Sequence, residues 1–133
     1  MKKSDREAIF NKFGGLCAYS GTKLEPDWQV DHIAPKQRCW FLNIESDTPT
    51  NMVPCQRIIN HYKRSLTLDQ FRVLWLGKLH LRIAKIPKNP RVERSIKRIA
   101  YIRKVASYFG ITKDIPFSGI FYMERIESES KNG

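Results

Sequence analysis

Apolar residues along the chain fall into alternating helical and strand spacings that divide it into short elements. Ile9 and Phe13 lie four apart, Ser4 precedes them with Glu7 three residues on, and Gly14-Gly15 follow. That pattern predicts a short helix opened by a capping box and stopped by glycine. Residues 16–19 (Leu-Cys-Ala-Tyr) read as a strand, Ser20-Gly21-Thr22 as a turn, and Val30-Asp31-His32-Ile33 as a second strand. Residues 35–50 mix Pro, Asn, Asp and Ser around Trp40-Phe41-Leu42, predicting a loop whose aromatic residues wedge into the core. Pro54 is placed to start a helix that continues to Tyr62, with Ile58 and Ile59 available to bury.

Thr67-Leu68-Asp69-Gln70 forms a further capping box. The helix it opens carries Phe71, Leu74, Trp75 and Leu79 on one stripe, with Lys78, Arg82 and Lys85 largely off it, until Pro87. Asn89-Pro90 reads as N-cap and first position of a third long helix, with Ile96, Ile99, Ala106 and Phe109 at helical spacing and Gly110 at its end. Residues 117–126 have β character in Ile120-Phe121-Tyr122-Met123, predicting a last strand before a polar, frayed tail from Glu127. Strands early and helices late make this an α+β pattern.

At 133 residues, with 41% hydrophobic and 28% charged positions, the composition is that of one folded domain. No apolar run approaches the ~18 residues of a membrane span, and no apolar leader precedes the first helix, so the expectation is an intracellular protein with no membrane partner. Cys17, Cys39 and Cys55 cannot all pair within one chain and read as buried, reduced thiols. Charge changes the picture more. The net charge is +11, and residues 63–104 hold 13 Lys and Arg against only Asp69 and Glu93, so that one block carries the whole imbalance. Such asymmetry suits a polyanion, nucleic acid first.

The candidate chemistry sits in Asp31-His32, answered by Asn51 and Asn60. Cutting a phosphodiester needs a cation to neutralise developing charge and a base to activate water. Asp31 offers a hard oxygen for Mg²⁺ or Mn²⁺, His32 an imidazole, and Asn60 a neutral carbonyl oxygen, while Asn51 is placed to bond loop backbone that no ladder satisfies. Adjacent strand residues point to opposite faces. Either the strand bends at Asp31-His32, or the base sits across the phosphate from the metal.

Phe13-Gly14-Gly15-Leu16-Cys17-Ala18-Tyr19-Ser20-Gly21, Val30-Asp31-His32-Ile33 with Pro35, Asn51-Met52-Val53-Pro54-Cys55 and Asn60-His61-Tyr62-Lys63, in that order, resemble the HNH endonuclease family over about half the chain. The resemblance implies a ββα-metal core at about residues 16–64, with an N-terminal helix before it and a basic helical extension at about 65–126 ending in a short strand, all in one domain spanning 1–133. It implies a DNA endonuclease with His32 as general base, Asp31 and Asn60 holding one Mg²⁺ or Mn²⁺, and Asn51 as the structural asparagine. Asn60 stands where many relatives have His, as in HNN variants, with His61 one residue out of register. Relatives often carry a zinc in two Cys-x-x-Cys knuckles; here those positions read Cys17/Ser20 and Cys55/Ile58, and Cys39 supplies one replacement at most, so no structural zinc is expected. Cys17 and Cys55 should then lie close together as thiols, with Ile58 in the core. The basic block, represented by Lys63, Arg64, Arg72, Lys78, Arg82, Arg94 and Arg98, would grip the DNA backbone. Family habit implies a cytoplasmic protein of bacterial or phage origin. The alternative is a DNA-binding module that keeps the fold without cutting.

Overall fold

The computed structural model describes residues 1–132 and joins several helices to a single two-stranded antiparallel sheet, a mixed α and β architecture. Two compact units emerge. One comprises Met1–Asp69 with the segment from Ile120 onward, and the other is Gln70–Gly119. The division falls between Asp69 and Gln70, and the last segment returns to the first unit.

In the first unit, α1 (Lys3–Phe10) begins ahead of the predicted cap. Lys2 keeps extended backbone at φ −68°, ψ 148°, so Ser4 lies inside the first turn and no side chain caps the helix. A 3₁₀ turn, Asn11–Phe13, ends at Gly14 in the left-handed conformation (φ 63°), as the glycine pair predicts. Residues 16–19 do not form a strand; only the bridge Leu16–Lys23 is laddered. Their polar groups are satisfied one at a time instead: Cys17 N–H donates to Thr22 O (2.8 Å) and Ala18 N–H to Pro54 O (2.9 Å).

β1 (Gln29–His32) pairs with β2 (Met52–Cys55), Gln29 opposite Cys55 and His32 opposite Met52. Pro54 thus lies in a strand rather than opening a helix. A two-stranded sheet is all edge, where a missing N–H is tolerated, and the Pro54 carbonyl is used by Ala18. The helix α3 (Arg57–Lys63) begins just after Gln56. That buried amide bonds Thr22 Oγ1, Lys23 O and Glu25 N–H, tying α3 to the turn before β1. Ile59, not Ile58, is the isoleucine fully in the core.

Between the strands, α2 (Lys36–Phe41) replaces the expected loop. Trp40 and Phe41 are 83% and 81% exposed and are not core wedges. A six-residue helix has one inward face, and Cys39 takes it; the next residue is turned ~100° away.

The final strand predicted from Ile120-Phe121-Tyr122-Met123 is instead the start of α7 (Tyr122–Asn132). Helix-start N–H groups lack intrahelical partners. Here Tyr122 N–H donates to Tyr19 O (3.0 Å), Met123 N–H to Ala18 O (2.8 Å), and Phe121 N–H to Glu124 Oε1 (2.9 Å), half of a capping box. Beyond residue 127 the helix continues, helped by Arg125–Glu129 and Glu127–Lys131 pairs four apart. Gly21 (φ 72°) is needed for this packing, since a Cβ there would come within 2.6 Å of the Tyr122 ring. Phe121 is fully buried, edge-on to Tyr19 with ring centres 5.4 Å apart.

The short helix α4 (Leu68–Gln70), whose last residue opens the second unit, runs into a π-helical stretch, Phe71–Leu76, and then α5 (Gly77–Ala84). The wide turn moves the buried stripe to Phe71, Leu76 and Leu79 and leaves Leu74 about half exposed. Gly77 permits it: a Cβ there would sit 2.9 Å from the Arg72 carbonyl oxygen. The helix α6 (Glu93–Phe109) starts after Val92 rather than at Asn89-Pro90, buries Val105 and Ala106, and ends at left-handed Gly110. No helix among the described residues is long and apolar enough to cross a membrane.

Candidate functional site

The strand β1 does not bend at Asp31-His32, because the register with β2 runs unbroken from Gln29 to His32. The two side chains therefore leave on opposite faces. Gln29 and Asp31 face α3, where Asn60 Nδ2 donates to Gln29 Oε1 (2.8 Å) and Lys63 Nζ lies 3.1 Å from Asp31 Oδ2. Val30 and His32 face the other way, into an open cleft of about 620 Å³ that Ile9, Lys36, Asp47 and Met52 also line.

Asp31 is 7% exposed and does not stand alone. Besides Lys63, the Tyr19 hydroxyl donates to Oδ2 at 2.5 Å. Burial first, and then the neighbouring Asp31 charge, push the Tyr19 hydroxyl well above its ordinary pKa, so it remains a donor. Both contacts use Oδ2, leaving Oδ1 outside them.

On the other face, His32 Nε2 lies 2.7 Å from Asp47 Oδ1, with Lys36 Nζ 3.9 Å from the same oxygen. The hydrogen bond with His32 is the main cause holding the Asp47 carboxyl below its usual range. An ionised carboxylate only accepts, so Nε2 carries a proton toward Asp47, an arrangement in which a neutral ring has its lone pair on Nδ1.

Asn51 has the loop-holding part expected of it. Its Oδ1 accepts from Ala34 N–H (2.8 Å), and its Nδ2 donates to Ala34 O (3.0 Å) and Ser46 O (2.9 Å). The ends of the loop that carries α2 and Asp47 are thereby clamped beside His32. Lys12 closes the same region, donating to Pro49 O and Met52 O. With three hydrogen bonds lost and their backbone partners left wanting, Asn51→Ala is expected to cost about 2–3 kcal/mol. Urea denaturation checks this, and a loss under about 0.5 kcal/mol would show the clamp to be ornamental.

Asn60 shares the sheet face of Asp31, whereas His61 is an exposed residue of α3. Lys63, predicted to touch phosphate, is 0% exposed, its ammonium spent on Asp31 and on His32 O (3.1 Å). Arg72 donates to Gly119 O (2.6 Å), and Arg82 stacks over Trp75 at 4.3 Å. Arg64, Lys78, Arg94 and Arg98 are exposed. Cys17 and Cys55 are buried in mutual contact, and all three cysteines are free thiols. Burial raises the Cys17 thiol, but hydrogen bonds from Cys55, Ser20 and the backbone outweigh it and bring the pKa to about 6, while burial pushes Cys55 well up.

Sequence reasoning missed Asp47, Tyr19 and the inward turn of Lys63. Asp47 sits in a polar stretch without periodicity and carried no signal. Lys63 had one: it follows Asn60 by three, which puts both on one helical face.

Among the described residues no three His, Cys, Asp or Glu side chains gather as a metal group. The donors suited to a cation are the Asp31 carboxylate and the Asn60 carbonyl. Two hard oxygens suit Mg²⁺, which keeps water and takes one or two carboxylates with substrate phosphate. A scan against protein-family models, a search of curated proteins and a search of solved structures each returned no match.

Proposed function

We propose that the chain is a divalent-metal-dependent endonuclease of the HNH type, hydrolysing DNA phosphodiester bonds on a ββα-metal core made of β1, β2 and α3. The observation that carries this reading is the division of labour at the end of β1. A carboxylate faces the helix that brings Asn60, and an imidazole held by a carboxylate faces the open cleft. Asp31 and Asn60 would hold Mg²⁺ or Mn²⁺, which supplies charge neutralisation at the phosphate and at the leaving 3′-oxygen.

The rest follows from this chain's own groups. His32 Nδ1 takes a proton from water, and the resulting hydroxide attacks phosphorus as the bond to the 3′-oxygen breaks. Asp47 holds the ring in the tautomer that leaves Nδ1 free to do so. Exposed cations on α5 and α6, with Arg64 after α3, supply phosphate contacts that position DNA without reading its sequence. The test is relaxation of supercoiled plasmid by the wild-type protein in Mg²⁺ or Mn²⁺, with EDTA as control. Binding with steep salt dependence but no cutting would favour the other reading, a DNA-binding module that keeps this fold without catalysis.

Asp47→Ala is expected to slow cleavage roughly ten- to a hundred-fold with DNA affinity kept, because the ring then loses its fixed tautomer. Single-turnover nicking rates beside a filter-binding titration separate the two effects. Unchanged rates would remove Asp47 from the mechanism.

A further inference from the structure

Lys63 is the one residue whose position departs most from a surface phosphate contact. Its side chain is fully buried, and its ammonium lies between the Asp31 carboxylate and the His32 carbonyl. Asn60 is three residues earlier on α3, so the amide suited to a cation and the ammonium that repels one project from the same side of one helix. The negative charge of Asp31 is thus already balanced from within, and the remaining donor, the Asn60 amide, is neutral. Hard-cation affinity rises with the charge count of the donors, and buried charges are screened far less than exposed ones.

We propose that the Lys63 ammonium keeps the divalent-cation affinity of the Asp31–Asn60 site low in the free protein. This rests on the endonuclease reading, since it concerns the same donors. A cation is then held firmly only when a phosphate of the substrate adds its own negative charge to the shell. Lys63 is a positioning residue here, acting through Asp31 and touching no reacting atom.

The experiment measures Mn²⁺ binding without DNA, from the electron paramagnetic resonance signal of the free ion, for wild type, Lys63→Met, Lys63→Gln and Lys63→Arg. Removing a unit charge beside a doubly charged ion should tighten binding at least tenfold in Lys63→Met and Lys63→Gln. Lys63→Arg keeps the charge and should stay within about threefold of wild type. Lys63→Gln retains a donor toward His32 O, so it serves if Lys63→Met does not fold. A second readout is thermal: Mn²⁺ should raise the melting temperature of the neutral variants more than that of wild type. Equal or weaker Mn²⁺ binding by the neutral variants overturns the proposal, as does a tightening shared by Lys63→Arg. Plasmid relaxation by the wild type is independent of these measurements. Cutting that persists while Lys63→Met and wild type bind Mn²⁺ alike sinks this inference alone.

Discussion

His32→Ala should lower metal-dependent plasmid cleavage by about 10²–10⁴-fold, the usual share of a general base, while DNA affinity stays near that of wild type. The side chain is a sound one to remove. It projects into an open cleft, its main-chain carbonyl is held by Lys63, and its strand pairing with Met52 is backbone only. Truncation therefore deletes the imidazole without a cavity in the packed interior. Circular dichroism and a binding titration on the same preparation establish that fold and affinity survive. A variant that cuts at more than a tenth of the wild-type rate would remove His32 as the base. Equal, negligible cutting by both proteins, with binding intact, would instead favour the non-cleaving module.

Phe121→Ala should be the most damaging single change to the first unit. The ring is fully buried and meets Tyr19 edge-on at 5.4 Å. Deleting a buried phenylalanine costs about 3–5 kcal/mol, a large fraction of the ~5–15 kcal/mol that holds a domain together. For a chain of this size the melting temperature should fall on the order of 10–20 °C. The effect should reach the site too, because Tyr19 is the residue whose hydroxyl fixes Asp31 Oδ2. Thermal denaturation followed by far-ultraviolet circular dichroism decides it. A fall of under about 3 °C would mean that α7 is packed far more loosely than its contacts imply.

How much of this was legible in the sequence depends on whether a signal was local. Glycine stops at Gly14 and Gly110, a strand through 30–32 and the loop-holding Asn51 were readable, since each rests on its own backbone chemistry or on a few neighbours. Pro54 misled because its helix-start preference yields when the strand it joins is an edge. The β-rich letters of Ile120-Phe121-Tyr122-Met123 misled for a different reason. The Tyr122 and Met123 N–H groups found carbonyls in the 18–19 turn, a hundred residues away in sequence, and a helix could start there. Trp40 and Phe41 look like core residues by type, yet only the brevity of α2 decides that Cys39 faces inward. At the candidate site, Asp31, His32 and Asn60 were nominated by residue type. Their division between two sheet faces, and the claims of Lys63, Tyr19 and Asp47 on them, required the pairing register and contacts across 12 to 31 residues.

The return of α7 to the turn at residues 18–19 also sets a timetable. Ribosomes add roughly 5–20 residues per second, and Phe121 is separated from Asp69 by the Gln70–Gly119 unit and Ile120. The first unit therefore waits roughly 3–10 s after Asp69 is made before the ring that covers Tyr19 exists. Throughout that interval the Tyr19 ring lacks its edge-on partner, and the 18–19 carbonyls lack the N–H groups of Tyr122 and Met123.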